Sequence, residues 1–319
     1  MDTRPVLVCT QHEDATADLV ITELNRRRVP VLRLDPGRDF PALAQLAARS
    51  GAQGWSGRLT IGQRTLDLSA VRALYHRRPH TYPTDSSRQA ARFAAQENRR
   101  GLGGVLGALP GCLYLSHPQA IARVEYKPAQ LDAAARVGLT VPATLITNDP
   151  MEAKVFCAEQ PTIYKPLHAG AYEVGGEPAG IWAAPVEPGE LDDAVGYSAH
   201  LFQVQVPKAV DVRVVVVGEQ VFCALITAPP GIVDWRAAYR NLSYEPVECP
   251  ERVRRALVAF LADFGLNFGA FDFAMTADGA WWFLECNPNG QWAWLEAAAN
   301  LTITTAIADL LENGATRHA

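Results

Sequence analysis

The chain has 319 residues, of which 49% are hydrophobic and 20% charged, which is typical of a globular protein of two or three domains. No apolar run approaches the ~18 residues of a membrane helix, and the N-terminus lacks the shape of a signal peptide, so we expect a cytoplasmic protein with no membrane partner. Residues 1–150 carry 19 basic and 13 acidic side chains and residues 151–319 carry 10 and 21, but no basic run is interleaved with aromatic residues, which argues against a nucleic-acid partner.

The first 115 residues alternate between strand and helix patterns. Residues 5–10 and 29–35 have the apolar character of strands, with an amphipathic helix between them, and residues 54–69 have the pattern of a hairpin. A strand at 71–79 and a long helix from about Ser86 to Leu109 follow. This alternation predicts an α/β class of fold with an open α/β layer as the N-terminal domain, at 1–115.

The rest of the chain predicts two further units, at 116–205 and 206–319. Residues 114–138 are predicted to be helical, and Gly138 to end the helix. The segments "LTVPATLIT" and "TIYKPL" predict strands, and the second leads into a glycine-rich segment at 168–180. "LFQVQVP", "DVRVVVVGEQVFCALIT" and a closing hairpin predict a second, mostly antiparallel sheet. The six cysteines form no C-x-x-C pair, so neither a zinc site nor a disulfide framework is indicated.

The closing hairpin contains the strongest indication of a site. An Ala-Asp-Gly turn at Asp278 joins two apolar strands, which places Asp272 roughly across from Glu285. Glu285 and Asn287 are two positions apart and therefore share a face. Two carboxylates and an amide on one face predict a magnesium site. The alternative for each residue taken singly is a solvated surface group, but the apolar neighbours make this unfavourable for all three together.

Two lysines and one arginine stand where a charge is unexpected. Only four of the 29 basic residues are lysines, and Lys165 ends a strand directly before the glycine-rich segment, where it is placed to bind a phosphate. Lys127 opens a predicted helix. Arg213 lies in a β-branched strand and needs a partner, for which Asp211 on the same face is one candidate. The alternatives are an ordinary glycine-rich turn, a solvated lysine and a structural Asp–Arg pair.

The order of these features resembles the ATP-grasp superfamily of carboxylate–amine or carboxylate–hydroxyl ligases, over roughly residues 116–313. The similarity is greatest to ribosomal-protein glutamate ligases and, above these, to microviridin-type graspetide maturases. It is carried by the segments "YHRRP", "IYKPL", "DVRVVVVG", "VDWR" and "FLECNPNGQW". It implies an ATP-grasp fold of two α+β subdomains that grip ATP, preceded by a pre-ATP-grasp domain.

The resemblance also implies a role for each candidate residue. Contacts to ATP phosphates would come from Lys127 and Lys165, and adenine would be held mainly by the backbone of Gln203, Val204, Gln205 and Val206. The "D-x-R" pair places Asp211 at the nucleotide and Arg213 with Arg236 at the transferring phosphate. Two magnesium ions would be held by Asp272, Glu285 and Asn287. Relatives commonly have Gln-Glu at the hinge, so Val204 is a departure that removes one side chain able to recognise the nucleotide.

The implied function is ATP-dependent activation of Asp or Glu side chains in a ribosomal precursor peptide, followed by ester or amide bond formation with Ser, Thr or Lys. The implied partners are that peptide, with its leader and its Thr/Asp/Glu-rich core, and a second copy of the chain in a homodimer. A ligase that adds an amino acid to a protein tail or a small molecule is the main alternative. A non-catalytic nucleotide-binding regulator is a further one, against which the complete set of metal ligands and lysines argues.

The segment "YHRRP" provides cationic side chains for an acidic peptide. It gathers His76, Arg77 and Arg78 at the end of a strand, where open α/β layers expose functional residues. We therefore expect these residues to bind carboxylates of the peptide outside the ATP cleft. The alternative is that the arginines are solvated or bind phosphate.

Overall fold

The computed structural model describes residues 3–82, 88–168 and 172–314, and all element bounds below refer to these ranges. The first third of the chain contains a parallel sheet and a small antiparallel sheet. Its elements in chain order are β1 (Val6–Cys9), α1 (Ala15–Arg26), β2 (Val31–Leu34), α2 (Pro36–Asp39), β3 (Ala44–Gly51), β4 (Gly54–Ile61), β5 (Arg64–Asp67), β6 (Ala73–His76), α3 (Gln89–Leu106) and β7 (Leu113–Tyr114).

The parallel sheet has the strand order β2-β1-β6-β7, which confirms the predicted α/β layer. Every residue of β1 is buried, as expected for a central strand covered on both faces. Asp14 caps α1 by accepting hydrogen bonds from the backbone N–H groups of Thr16 and Ala17. The predicted hairpin is present as β4 and β5. The predicted start of α3 at Ser86 lies outside the described residues.

Two strands of this region are absent from the sequence prediction, β3 and the two-residue β7, whose Tyr114 was predicted to be helical. Residues 44–51 form β3, which pairs antiparallel with β4 over its whole length. The segment "AQLAARSG" is rich in alanine and has few β-branched residues, so its strand character comes from pairing with β4 rather than from intrinsic propensity.

The central part contains a second antiparallel sheet with the order β12-β9-β13-β8. Lys127 is the first residue of a helix, as predicted, and Gly138 follows that helix in the left-handed conformation, with a φ of 86°. The elements are α4 (Pro118–Val124), α5 (Lys127–Arg136), β8 (Thr144–Thr147), α6 (Pro150–Glu159), β9 (Thr162–Lys165), β10 (Tyr172–Val174), β11 (Glu177–Ala179), β12 (Ala184–Val186) and β13 (His200–Val204).

The last part contains a five-stranded antiparallel sheet with the order β16-β15-β14-β17-β18. Helix α7 packs its apolar face on one side of this sheet. The elements are β14 (Lys208–Val217), β15 (Gln220–Thr227), β16 (Ser243–Pro246), α7 (Glu251–Phe264), β17 (Phe268–Thr276), β18 (Trp281–Asn287), α8 (Ala293–Ala299) and α9 (Ile303–Asn313).

The prediction that "LFQVQVP" belongs to this last sheet is wrong. The segment forms β13, which pairs with β8 and β9 in the central sheet. Both β13 and β14 are apolar, so their hydrophobicity does not distinguish one sheet from the other. The chain crosses between the two sheets around Pro207, which has no N–H to continue a ladder.

The two ends of the chain share one hydrophobic core. Helix α9 packs against α1, and its buried residues Ile303, Ile307 and Leu311 belong to the same apolar cluster as Val6 and Val8 of β1. The N-terminal parallel sheet is therefore covered partly by the last helix of the chain. The division into domains at 1–115, 116–205 and 206–319 stays a prediction.

No helix in the described part of the chain is long and apolar enough to span a membrane.

Candidate active site

The closing hairpin has the predicted register. Strands β17 and β18 are antiparallel, and Asp272 lies directly opposite Glu285, while Asn287 lies opposite Ala270. The ladder shifts by one residue between Asp272 and Phe273, as at a β-bulge. Nδ2 of Asn287 lies 3.4 Å from Oδ2 of Asp272 and 3.3 Å from Oε1 of Glu285. The three predicted metal ligands therefore converge on one small region.

Four ion pairs neutralise the two carboxylates of this region. Arg213 Nη1 lies 2.9 Å from Asp272 Oδ1, and Lys127 Nζ lies 2.6 Å from Glu285 Oε2. Arg236 joins the two acids, because its Nη2 lies 2.5 Å from Asp272 Oδ2 and 2.9 Å from Glu285 Oε1. These are the same two oxygens that Asn287 contacts. Arg213 therefore pairs with Asp272, and the alternative of an Asp211–Arg213 pair is wrong.

Asp272 and Glu285 would form a site for a hard cation only together with the amide oxygen of Asn287. Within the described ranges, no three His, Cys, Asp or Glu side chains cluster closely enough to hold a metal ion. Asp272, Glu285 and the amide oxygen of Asn287 nevertheless form an all-oxygen donor set of the type that magnesium binds. The residues fit the predicted role, and Arg236 pairs with both of the carboxylates that would hold the ion.

The buried charges shift one another's pKa values. Burial alone would raise the pKa of Glu285, but Lys127, Lys165 and Arg236 hold it well below its usual range. Burial is the largest single influence on the pKa of Arg236 and lowers it. Asp272 and Glu285 act in the opposite direction, and the pKa is raised overall. The pKa of Lys165 is lowered, mainly by burial, since Glu285 compensates for it only in part. At neutral pH Glu285 is therefore ionised.

Three structural elements bring these residues together around one cavity of about 530 Å³. Lys127 comes from the first turn of α5, Lys165 from the end of β9, and Glu285 from β18 of the closing hairpin. The cationic lining consists of Arg77, Arg78, Lys127, Lys165, Arg213 and Arg236, and the acidic lining of Glu125, Asp234 and Glu285. Such an excess of positive charge favours a polyanionic ligand.

The glycine-rich segment is described only in part. Residues 172–174 and 177–179 form the hairpin of β10 and β11, and residues 169–171 lie outside the described residues. His168, the first residue of the segment, and Trp182, two residues after its end, line the cavity. The segment is thus adjacent to Lys165, as the sequence order predicts.

The hinge residues lie apart from the cavity lining. Gln203 is buried, and its Nε2 donates a hydrogen bond to Thr144 Oγ1 at 2.9 Å. The N–H groups of Val204 and Gln205 donate to the carbonyls of Ala143 and Pro161. Their role in adenine binding stays a prediction.

Val206 and Asp211, which were also predicted to contact the nucleotide, have hydrogen-bond partners within the protein. The carbonyl of Val206 accepts a hydrogen bond from the N–H of Lys208. Asp211 pairs with Lys208 at 2.5 Å, and burial raises its pKa to about 6. Lys208 also donates to the carbonyl of Val233 and so links β14 to the segment before Arg236.

The prediction that "YHRRP" forms an exposed cationic patch outside the cleft is wrong, because Arg77 and Arg78 both line the cavity and, of His76, Arg77 and Arg78, only Arg78 is exposed. His76 has its pKa lowered to about 4 by burial and by His117, so it is neutral at pH 7. Arg77 is 2% exposed and pairs with Asp14 at 2.7 Å, and it lines the same cavity as the lysines. The cause is Asp14, whose carboxylate caps α1 and draws the guanidinium inwards.

Sequence reasoning missed two contributors to the site. Gln291 accepts a hydrogen bond from Arg77 through its side chain and one from Arg213 through its carbonyl. Asp234 accepts from the backbone N–H of Arg236 and lies 3.3 Å from its Nη1, which fixes this arginine over Trp235. The segment "VDWR" contained the signal for Asp234, because an Asp side chain in a turn commonly accepts a hydrogen bond from the backbone N–H two residues further on.

Comparison with known proteins indicates the fold and the class of enzyme. Residues 5–122 match the family model of the MvdD pre-ATP grasp domain. The chain superposes with a TM-score of 0.84 on the macrocyclase MdnC from Microcystis aeruginosa MRC, solved with the precursor peptide MdnA, at 28% identity over 97% of this chain and 99% of that chain. This chain is an ATP-grasp ligase.

Further solved structures share this ligase's fold. A RiPP-associated ATP-grasp ligase from Chryseobacterium gregarium, in complex with ADP and a leader and core peptide, matches with a TM-score of 0.86 at 24% identity over 98% of each chain. The ATP-grasp ligase PsnB with a minimal precursor matches with a TM-score of 0.79 at 26% identity, over 98% of this chain and 99% of that chain. PsnB has also been solved with its minimal precursor, Mg and ADP. No curated protein gives a significant match.

Proposed function

We propose that this ligase uses ATP to activate Asp or Glu side-chain carboxylates of a ribosomally made precursor peptide and joins them to Ser or Thr hydroxyls or Lys amines within the same peptide. The observation that carries the proposal is the single cavity in which Lys127, Lys165, Arg213 and Arg236 surround the acids of the closing hairpin. Cationic side chains placed around one cavity are what a triphosphate and a carboxylate together require. The solved relatives that bind precursor peptides support the choice of substrate.

The first step is phosphoryl transfer. A carboxylate oxygen of the peptide attacks the γ-phosphorus of ATP, ADP leaves, and an acyl phosphate forms. Lys127 and Lys165 neutralise the phosphates, and Arg213 with Arg236 lies at the region where charge develops. Magnesium, held by Asp272, Glu285 and Asn287, would neutralise charge on the triphosphate when bound.

The second step is acyl transfer. The hydroxyl or amine of the acceptor side chain attacks the acyl carbon, loses its proton and expels inorganic phosphate, so each bond formed removes one water from the peptide. Holding the two side chains next to each other provides much of the rate, and no nucleophile of the protein is required. The proposal also includes two magnesium ions in the site, a homodimeric ligase and a cytoplasmic location.

Mass spectrometry tests the proposal. The purified ligase is incubated with ATP, magnesium and a precursor peptide whose core is rich in Thr and Asp or Glu. The expected result is a peptide lighter by one or more water masses, with one ADP formed per water lost. Formation of ADP only when a free amino acid is added, with that amino acid attached to a protein or small molecule, would favour the amino-acid ligase instead. Tight ADP binding without any product would favour the regulator.

A further inference from the structure

The side-chain amide of Gln130 connects two helices with the closing hairpin. Gln130 lies on α5 and is 4% exposed. Its Nε2 donates to the carbonyl of Val124, the last residue of α4, at 2.7 Å and to the carbonyl of Cys286 on β18 at 2.9 Å. Its Oε1 accepts a hydrogen bond from the N–H of Cys286 at 2.7 Å. Both donors of the amide are therefore used, and its three partners fix its orientation.

Gln130 takes the place of a neighbouring strand at this position. Strand β18 is the edge strand of its sheet and pairs with β17 on one side. The N–H and C=O of a residue in an antiparallel strand point to the same side, so those of Cys286 point to the open edge. Three positions earlier on this edge, the N–H of Phe283 donates to a backbone group, the carbonyl of Thr140. At Cys286 a side chain performs this task, which ties the backbone of β18 to α5.

The residues on either side of Cys286 are predicted metal ligands. Glu285 precedes it and Asn287 follows it, and Glu285 Oε1 lies 3.3 Å from Asn287 Nδ2. Lys127, about one turn before Gln130 on α5, contacts Glu285 through its Nζ at 2.6 Å. One turn of α5 thus carries both a residue that pairs with a ligand and a residue that holds the backbone between the two ligands.

These two contacts between α5 and β18 respond differently to ligands. A phosphate group competes with Glu285 for the ammonium group of Lys127, and magnesium competes with Lys127 for the carboxylate. Neither ligand competes for the backbone N–H and C=O of Cys286 that Gln130 binds. The ion pair can therefore be exchanged while the amide keeps the helix and the strand at one distance.

We propose that Gln130 is a positioning residue that keeps Glu285 and Asn287 at a fixed distance from Lys127 when magnesium and a nucleotide bind. The inference rests on the proposed function, but it requires only the joint binding of nucleotide and magnesium. Residues behind the direct ligands of a metal orient those ligands, and replacing them typically lowers metal affinity about 10–100-fold. Gln130 acts here through the backbone and not through charge.

The effect of magnesium on ADP binding measures this role. The ADP affinity of wild type and of Gln130→Met is determined by isothermal titration calorimetry with and without magnesium. Methionine is similar in length to glutamine and removes all three hydrogen bonds. Asn267→Leu is the matched control, because Asn267 Nδ2 donates to the carbonyl of Tyr114 at 2.7 Å and Asn267 lines a separate cavity beside β7.

Magnesium should raise the ADP affinity of wild type, and this increase should be about tenfold smaller in Gln130→Met. The ADP affinity without magnesium should stay within about threefold of wild type. Asn267→Leu should match wild type in both affinities, even at a lower melting temperature. A lower melting temperature of Gln130→Met with an unchanged magnesium effect would show a purely structural role and overturn the proposal. Absence of any magnesium effect in wild type would overturn it as well.

Hydrogen exchange in wild type gives a second measurement, which decides if Gln130→Met does not fold. The amide of Cys286 should exchange slowly, and it should stay slow when magnesium and ADP are added together, because the contact with Gln130 persists. The amide of Phe283 is the reference, since it has a backbone partner at the same edge. Faster exchange at Cys286 than at Phe283 after this addition would show that Gln130 releases the strand, and would contradict the proposal.

Failure of the proposed function has a different outcome. Wild type would then form no dehydrated peptide, while the magnesium effect on ADP binding and its reduction in Gln130→Met would persist. If wild type and Gln130→Met instead dehydrate the peptide with the same dependence on magnesium concentration, the proposed function stands and Gln130 has no positioning role.

Discussion

Replacing Arg236 with methionine tests whether its guanidinium competes with a metal ion for the carboxylates of Asp272 and Glu285. Its Nη2 contacts Asp272 Oδ2 and Glu285 Oε1, the two oxygens that Asn287 also approaches. In the Arg236→Met variant the two carboxylates face each other without this bridge. A divalent cation then has less competition for them.

The expected loss of stability in Arg236→Met depends on the ion pairs that Asp272 and Glu285 keep. Removing one partner of a buried ion pair typically destabilises by about 3–5 kcal/mol, because a charge is left unpaired. Here Asp272 keeps Arg213 and Glu285 keeps Lys127. We therefore expect a smaller loss of about 2–3 kcal/mol without metal. Magnesium at about tenfold its dissociation constant would return about 1.4 kcal/mol by mass action.

Thermal unfolding of both proteins, with and without magnesium, measures these terms. The variant should melt several degrees lower without metal, and magnesium should raise its melting temperature more than that of wild type. Arg254→Met is the control, because its exposed pair with Glu251 contributes less than about 1 kcal/mol. The reasoning is refuted if Arg236→Met is as stable as wild type and both respond equally to magnesium.

Three further predictions follow from named contacts. Lys165→Ala should weaken ATP binding by about 2–4 kcal/mol in calorimetry, and unchanged affinity would remove Lys165 from the phosphate site. Because the pKa of His76 is lowered from 6.5 to about 4, the free energy of unfolding should be unaffected by this residue above pH 6.5 and should fall by about 3 kcal/mol as the pH drops to about 4. In urea titrations at several pH values, the free energy of unfolding of His76→Asn should depend less steeply on pH over this range. An unchanged pH dependence would contradict the assignment. In Gly290→Ala the new methyl group would lie 2.6 Å from Arg213 Nη2 and 2.5 Å from Ala270 Cβ, so product formation should fall at least tenfold, whereas Gly279→Asn in the exposed turn should retain activity.

The register of the closing hairpin was predictable because local rules determine it. An Asp-Gly turn sets the alignment, alternation sets the faces, and Asp272 therefore meets Glu285. The parallel N-terminal sheet was predictable for a similar reason, since its apolar strands are separated by an amphipathic helix. This part of the site therefore depends on interactions between residues that are close in sequence.

The remaining contacts of the site are long-range and left little trace in the sequence. Arg77 finds Asp14 63 positions away and Gln291 214 positions away, so its burial is a property of the assembled fold. The same holds for Arg236, which bridges acids 36 and 49 positions away. A strand such as β13 has two possible sheets, and only the packing of its neighbours selects one.

The packing of α9 against α1 has a consequence for the order in which the chain folds. A ribosome releases β1 and α1 long before α9 is made, so the apolar surface that Ile303, Ile307 and Leu311 will cover stays open to water until synthesis is almost complete. The N-terminal region cannot complete its core by itself. A fragment ending near residue 115 should therefore bind hydrophobic dyes and aggregate, and removal of α9 should destabilise the far end of the chain, where translation began.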